Sequence, residues 1–242
     1  MLKSSDVAHA TTTSVPPGDK VGPVESTDGR RIRGERTKRA ILATAVDIAS
    51  AEGLEGLSIG RLATELGVSK SGLFAHFGSK QELQLETIAA AREIFEEQVF
   101  EPVAEAERGL VRLIALMDSW LEYLRRGPFS GGCFFSNAQH EFDSRPGPVH
   151  DQIADQKQRW TEAIVAHVRS AQKRGQLRRE IEPEQLAFEL DAIGVLANSR
   201  WQLNHDERAF QRAKTAIRDR LHFAATQSGR RGLAGATTRE AR

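Results

Sequence analysis

The spacing of apolar residues along the chain predicts a series of helices. Ile41, Ala45 and Ile48 recur at intervals of four and three, so they share one face of an amphipathic helix. Gly53 follows this pattern and suits the left-handed position at which helices commonly end. The first clear helix is therefore expected to close with a tight turn at position 53.

Serines mark the starts of three further helices. Ser58 precedes a short apolar-periodic segment that runs to Leu66. Ser69 precedes another, which is expected to end near Phe77. At both positions a serine hydroxyl can accept hydrogen bonds from the free N–H groups of a first helical turn. Ser79 has a glutamate three residues later, so it forms a capping box for a longer fourth helix.

Longer amphipathic helices follow position 105. Apolar stripes at helical spacing predict their core positions. These are Leu110, Leu113, Ile114, Met117, Trp120, Leu121 and Leu124 in one helix, and Val149, Ile153, Trp160, Ile164 and Val168 in another. The sequence shows neither a strand pattern with hairpin turns nor an internal repeat of 20 to 50 residues. The pattern therefore predicts an all-α fold.

The segment 183–204 is apolar on two faces. One face carries Leu186, Leu190, Ile193 and Ala197, and the other carries Phe188, Ala192, Val195 and Leu196. A helix with two apolar faces needs two packing partners. The last helix carries Phe210, Ala213, Ile217 and Leu221 on one face. We expect these two helices to pack against their copies in a homodimer.

Changes in composition predict the domain boundaries. Residues 1–33 and 226–242 are rich in polar and small residues without an apolar period, so both are expected to be disordered. Residues 34–80 contain the short helices, and residues 81–225 contain the long ones. The sequence thus predicts a small N-terminal helical domain followed by a larger helical domain.

Composition narrows the class of protein only modestly. Lysine and arginine total 34 against 33 acids, and this formal charge of +1 neither requires nor excludes a polyanionic partner. The single cysteine, Cys133, cannot form an internal disulfide, and no secretory signal is recognisable. No apolar run reaches the roughly 18 to 20 residues that span a bilayer. We expect a cytoplasmic protein with no membrane association, metal or cofactor.

The second and third predicted helices and their glycine-containing turn indicate a helix-turn-helix, in which the second helix enters the DNA major groove. Leu73 and Phe77 are spaced to face the core, which turns Lys70, Ser71 and Phe74 the other way. The small polar residues of the first turn, including Ser69 and Gly72, allow close approach to DNA. These residues are candidate DNA contacts.

Basic residues flank this motif on both sides. The stretch 30–39 contains six basic residues, among them Arg36 and Arg39, against one acid, Glu35. Such an arm can follow a phosphate strand or enter a minor groove. Lys80 opens the fourth helix, where a positive charge opposes the helix dipole. A neighbouring DNA phosphate would explain a lysine there.

The stretch "ILATAVDIASAEGLEGLSIGRLATELGVSKSGLFAHFGSKQEL", residues 41–83, resembles the DNA-binding domain of the TetR family of transcriptional regulators. The resemblance implies that Ser58 holds a phosphate, that Lys70 and Ser71 contact bases, and that His76 and Lys80 lie at the DNA backbone. The chain departs from the family at Phe74, where tyrosine is usual. Without the hydroxyl, this residue offers apolar contact alone, for example with a thymine methyl group.

The resemblance also implies partners and a mechanism. A homodimer would bind a double-stranded DNA operator, and a small-molecule inducer in the C-terminal domain would release it, most simply as a repressor. Residues 131–153 also resemble a segment of some family members' C-terminal domains. The alternative is an α-helical small-molecule carrier or interaction module that no longer reads DNA. Phe74 is the feature that favours this alternative.

Large aromatic residues in the predicted C-terminal domain are candidate ligand contacts, although each is also an ordinary core residue. An all-helical domain with several aromatics and a few buried polar groups can hold an apolar ligand. The candidates are Trp120, Phe134, Phe135, Trp160 and Trp201, with Asn137 and His140 as polar contacts.

Cys133 allows a redox hypothesis and an enzymatic one. A cysteine at a helix start can have a lowered pKa and act as a sensor, but its apolar neighbours favour a small buried side chain. In a helix, Cys133 and His140 would lie roughly 10 Å apart along the axis, whereas a nucleophile and its base must meet within about 3 Å. We therefore expect no hydrolytic set of Cys133, His140 and Glu141. His140, His150 and Asp151 lack the spacing of a metal site.

Overall fold

The computed structural model describes residues 27–231, except for the side chains of residues 27–31 and 33. The chain divides into two compact units after Arg36. The described part of the first unit, residues 27–36, is the beginning of helix α1. The second unit begins at Thr37.

Residues 27–231 end in a helical segment at 227–231, and nine α-helices precede it. They are α1 (Thr27–Glu52), α2 (Ile59–Leu66), α3 (Lys70–Phe74), α4 (Lys80–Phe95), α5 (Leu110–Arg126), α6 (Phe134–Phe142), α7 (Pro148–Lys173), α8 (Pro183–Asn204) and α9 (Arg208–Ala224). A π-helical turn at Glu96–Phe100 and a 3-10 turn at Glu101–Val103 follow α4. The described residues contain no strand, only an isolated bridge between Leu177 and Ala225. The all-α prediction is confirmed.

Serine caps define the short helices as the sequence predicts. Ser58 Oγ accepts the Arg61 N–H at 3.0 Å, and Ser69 Oγ accepts the Gly72 N–H at 3.2 Å. Ser79 Oγ accepts the Glu82 N–H at 3.1 Å. Each bond satisfies a donor that the first turn of a helix leaves free. The third helix is shorter than predicted, because regular α-helix ends at Phe74.

Two apolar cores hold the described helices together. The first is formed by α1, α2, α3 and α4, with residues from α6 and α7. The second is formed by α5, α7, α8 and α9, with the end of α4. The predicted stripes of α5 and α7 are buried throughout. None of the helices between residues 27 and 231 combines the length and the hydropathy that crossing a bilayer requires.

Helical structure extends further than the sequence predicts at both ends of the described residues. Helix α1 begins at Thr27, so residues 27–33 are helical where disorder was expected. At the other end, Thr226 Oγ1 donates to the Gly175 carbonyl at 2.7 Å and accepts the Gly229 N–H at 3.1 Å. Local composition did not reveal the bond to Gly175, which lies 51 residues away. Residues 1–26 and 232–242 lie outside the described residues.

Candidate nucleic-acid interface and interior cavity

Helices α2 and α3 meet at a turn built on Gly67. This glycine has a φ of 65°, a left-handed conformation that costs other residues more than glycine. Its N–H donates to the Thr64 carbonyl at 3.3 Å, and the Val68 N–H donates to the Ala63 carbonyl at 3.1 Å. The chain therefore leaves α2 sharply, and α3 begins three residues later.

One side of helix α3 packs on the core, and its other side is exposed to solvent. Leu73 is 2% exposed and Phe77 is fully buried, as the sequence predicts. The predicted contacts on the outer side are solvent-exposed: Ser69, Lys70, Ser71, Gly72, Phe74 and His76. Phe74 is a large apolar residue, yet 54% of its surface is exposed. The arrangement presents a row of polar, basic and apolar side chains on one rigid short helix.

Ser58, the predicted phosphate contact, lies at the other end of this surface. It is partly exposed, and its oxygen already serves as the N-cap of α2. The Lys70 side chain extends toward the same end, because a Cβ atom built on Gly60 would lie 3.4 Å from Lys70 Nζ. The cationic group of Lys70 and the hydroxyl of Ser58 are thus near the same end of α2.

Lys80 is exposed but has a partner within the chain. Its Nζ atom donates to the Glu55 carbonyl oxygen at 2.7 Å and to Glu55 Oε1 at 2.8 Å. The hydrogen bond from Lys80 lowers the pKa of Glu55. This ion pair explains a lysine in the first turn of α4 without DNA, so the position of Lys80 alone does not indicate a phosphate contact.

The basic arm is described only in part. Arg36 and Arg39 are exposed on α1. Lys38 forms an ion pair with Glu86, with Nζ and Oε2 2.5 Å apart, and its Nζ lies 5.8 Å from the centre of the Phe77 ring. The side chains of Arg30, Arg31 and Arg33 lie outside the described residues. Arg36 and Arg39 remain candidate DNA contacts.

A junction between α6 and the end of α1 was not anticipated from the sequence. Glu141 on α6 accepts the N–H groups of Leu54 and Glu55 at 2.7 and 2.8 Å. Asn137 Nδ2, also on α6, donates to the Ser50 carbonyl at 2.9 Å. These bonds hold the turn between α1 and α2, which contains the partner of Lys80.

The loop before α6 strengthens the same junction. The Gly131 N–H donates to Ser50 Oγ at 3.0 Å, and the Ser130 N–H donates to Asp47 Oδ1 at 2.8 Å. A Cβ atom on Gly131 would lie 1.9 Å from the Ser50 carbonyl oxygen, so this close approach requires glycine. The Gly131-Gly132 pair marks a turn in the sequence. The sequence does not reveal that Gly131 contacts Ser50, which lies 81 residues away.

A small cavity of about 60 Å³ lies among α4, α5, α6, α7 and α8. Its walls include Trp120, Phe135, His140 and Trp160, all predicted ligand contacts. Ligand pockets usually measure about 300 to 1,000 Å³. A drug-sized ligand would therefore have to displace side chains.

Three predicted ligand contacts do not line this cavity. Phe134 is 1% exposed and packs in the N-terminal core. Asn137 Nδ2 is used by the Ser50 and Gly131 carbonyls. Trp201 packs against His205 and Phe210. These three side chains pack in the core, the junction and the end of α8, away from this cavity, and their contact with a ligand stays a prediction.

Cys133 and Glu141, two of the residues considered for a hydrolytic set, both have structural surroundings. Cys133 is buried, and burial raises the pKa of its thiol, which favours the unreactive protonated form. The Glu141 carboxylate is used by the N–H groups of Leu54 and Glu55. No group of three or more potential metal ligands occurs in residues 27–231.

Comparisons with known proteins agree with this architecture. Residues 41–87 match the model of bacterial regulatory proteins of the tetR family, and residues 109–217 match the model of the tetracyclin repressor-like C-terminal domain. Together the two matches cover well over half of the chain. No curated protein matches it.

Several solved structures share the fold. A TetR transcriptional regulator from Chloroflexus aurantiacus J-10-FL is 25% identical, with a TM-score of 0.72 over 77% of this chain and 94% of that one. A TetR-family regulator from Streptomyces coelicolor is 21% identical, with a TM-score of 0.67 over 79% and 96%. AibR, solved with isovaleryl coenzyme A and operator DNA, is 22% identical, with a TM-score of 0.60 over 76% and 96%.

The two family models fall on the two parts of the structure described above. One covers the helix-turn-helix with its exposed α3, and the other covers α5 to α8 and most of α9, which include all the cavity walls except Phe95. Members of this family are transcription factors rather than enzymes, and they typically bind DNA and respond to ligands. The chain belongs to the TetR family of transcriptional regulators.

Proposed function

We propose that the protein is a ligand-responsive transcriptional repressor that binds a palindromic operator as a homodimer in the cytoplasm. Residues 34–80 form the DNA-binding domain, and residues 81–225 form the ligand-binding and dimerisation domain. The proposed DNA contacts are Ser58, Ser69, Lys70, Ser71, Gly72, Phe74, His76 and Lys80, with Arg36 and Arg39. A small-molecule inducer releases the operator.

The outer face of α3 is the observation that carries this proposal. Leu73 and Phe77 fix the helix on the core, while Lys70, Ser71 and Phe74 are exposed to solvent. A recognition helix needs both a rigid base and free side chains that reach base edges.

Dimerisation is supported by an apolar stripe on α8. Phe188, Leu196 and Leu203 are 69%, 58% and 77% exposed, and their spacing places them along one side of the helix. Phe223 on α9 is 63% exposed. Exposed apolar surface of this kind marks an interaction site. Family members act as dimers, and a dimer brings two recognition helices to one duplex.

Helix α6 provides a route from ligand to DNA. Its residues Phe135, Gln139 and His140 line the cavity. Its residues Asn137 and Glu141 hold the end of α1 and the following turn. A ligand that widens the small cavity would move α6, and it shifts the DNA equilibrium to the extent that it binds the moved form better.

Substitution of Lys70 tests the proposal. Lys70→Ala is expected to weaken binding to the protein's own upstream DNA by about 5- to 150-fold. If Lys70 also contacts phosphate, the slope of log K against log salt falls by about one. Lys173→Ala, which removes an exposed lysine at the end of α7, serves as the control and should leave binding unchanged. Fluorescence anisotropy with labelled duplex measures both.

The alternative is a helical carrier that no longer reads DNA. Two observations favour it: Phe74 lacks the hydroxyl usual in the family, and Lys80 is bonded to Glu55. A carrier predicts equal, weak binding of the wild type and Lys70→Ala to every duplex. The same anisotropy titrations therefore discriminate between the two functions.

A further inference from the structure

The cavity wall contains a buried amide without a partner. Gln156 on α7 is 5% exposed and lines the cavity. Its Oε1 atom accepts no hydrogen bond. Buried polar atoms in proteins are nearly always paired, because an unpaired one loses its bonds to water without replacement. A ligand that enters the cavity and brings a donor would satisfy this acceptor once the amide turns toward it.

The charged groups of the same wall neutralise one another. Lys157 Nζ lies 2.6 Å from Asp191 Oδ2, and Trp160 Nε1 donates to Asp191 Oδ1 at 2.8 Å. Both carboxylate oxygens are thus occupied, and the pair carries no net charge. A charged ligand would have to break this pair or stay uncompensated in a largely apolar space, which is costly.

The remaining walls are aromatic. The rings of Trp120 and Trp160 lie 4.8 Å apart between centroids, and Phe95 meets Trp160 edge-on at 5.6 Å. Phe135 lies 6.2 Å from Phe95, and its side chain is partly exposed. Stacked and edge-on rings can accept another flat ring with favourable geometry. The half-buried Phe135 is the side chain best placed to move aside for it.

The geometry points to an uncharged, mainly apolar ring compound with a hydroxyl group as the ligand of this cavity. The ring lies among Trp120, Trp160 and Phe135, and the hydroxyl donates to Gln156 Oε1. The Lys157–Asp191 pair stays intact. This inference rests on the proposed function, because it assigns the chemical class of the inducer.

Four probes that share one ring system test the inference. Naphthalene, 2-naphthol, 2-naphthoate and 2-naphthyltrimethylammonium are titrated into the full-length protein by calorimetry. We expect 2-naphthol to bind about tenfold more tightly than naphthalene, since one satisfied hydrogen bond contributes about that factor. The anion and the cation should bind more weakly than 2-naphthol.

The Gln156→Leu variant tests whether the hydroxyl of 2-naphthol donates to Gln156 Oε1. This substitution should remove the tenfold advantage of 2-naphthol and leave naphthalene binding unchanged. Gln156→Met gives the same result if the leucine variant does not fold, as checked by circular dichroism. The inference is overturned if a charged probe binds most tightly, if no probe binds, or if both folded variants keep the advantage of 2-naphthol.

A parallel DNA titration without any probe keeps this inference separate from the proposed function. If the probe ranking fails while the upstream duplex still binds specifically, the ligand class is wrong and the regulator stands. If the duplex does not bind specifically, the proposed function fails whatever the probes do.

Discussion

At the scale of single residues, Glu55 and a DNA phosphate near α3 would compete for the ammonium group of Lys80. Its ammonium group is bonded to the Glu55 carboxylate and carbonyl, and a DNA phosphate would compete for the same group. Both side chains are roughly half exposed, so the ion pair contributes little to stability and is easily exchanged. Glu55 therefore acts mainly as a local negative charge beside the proposed interface.

We expect Glu55→Gln to strengthen DNA binding. The substitution removes a carboxylate that repels phosphate and leaves Lys80 with uncharged oxygen acceptors only. Affinity for both specific and scrambled duplexes should rise, and the salt slope should steepen by up to about one. Anisotropy at several salt concentrations measures this. Unchanged affinity at low salt would show that Lys80 lies away from the DNA.

The same ion pair gives a pH dependence with a definite sign. The hydrogen bond from Lys80 lowers the pKa of Glu55 in the folded protein. The pair is therefore complete at neutral pH and is lost as the pH falls through that lowered pKa. Near neutral pH Glu55 is ionised, so small changes in pH should not alter DNA affinity through this group. The Glu55→Gln variant, which is uncharged at every pH, should bind DNA as the protein with protonated Glu55 does.

At the scale of helices, α6 connects the cavity to the DNA-binding helices. Glu141 holds two backbone N–H groups that follow the end of α1, and these donors would otherwise lose their partner. Hydrogen bonds to a charged group are worth about 1.5 to 3 kcal/mol in stability. The contact also fixes the turn that carries Glu55.

Replacing Glu141 should loosen this junction. Glu141→Ala is expected to lower the free energy of unfolding by about 1 to 3 kcal/mol and to weaken the coupling between ligand and DNA. Glu93→Ala, an exposed glutamate on α4, is the control and should change stability by less than about 0.5 kcal/mol. Urea unfolding followed by circular dichroism measures both variants. Equal stabilities would contradict the role given to Glu141.

Helices were predictable where their signals are local, and contacts were not where their partners are distant. Ser58, Ser69 and Ser79 each cap a helix with a bond to a residue three positions on, which a single sequence reveals. Asn137 was predicted as a polar ligand contact within a helical domain that contains several large aromatic residues. Its partner, the Ser50 carbonyl, lies 87 residues away, and no local pattern encodes that distance.

At the scale of the whole molecule, α8 and α9 set the proposed assembly. Sequence periodicity gave α8 two apolar faces, and the structure buries Leu186, Leu190 and Ala197 within the chain. The opposite face keeps Phe188 and Leu196 in solvent. Burial of such a face in a second copy would complete the packing that the sequence pattern requires.

A charge on this face should separate the subunits. Phe188→Glu is expected to convert a dimer to a monomer in sedimentation-velocity experiments, because dimerisation would bury an unpaired carboxylate. Operator affinity should fall with it, since one recognition helix then acts alone. Gln158→Glu adds the same charge to the exposed surface of α7 and should leave the dimer intact. A Phe188→Glu variant that remains dimeric would rule out this surface.

The central claim is sequence-specific DNA binding, and one titration tests it most directly. Wild-type protein is titrated against its own upstream duplex and a scrambled duplex, by fluorescence anisotropy at two salt concentrations. We predict salt-dependent binding that favours the upstream duplex by about a thousandfold or more. Equal, weak binding to both duplexes at both salt concentrations would contradict it and favour the carrier.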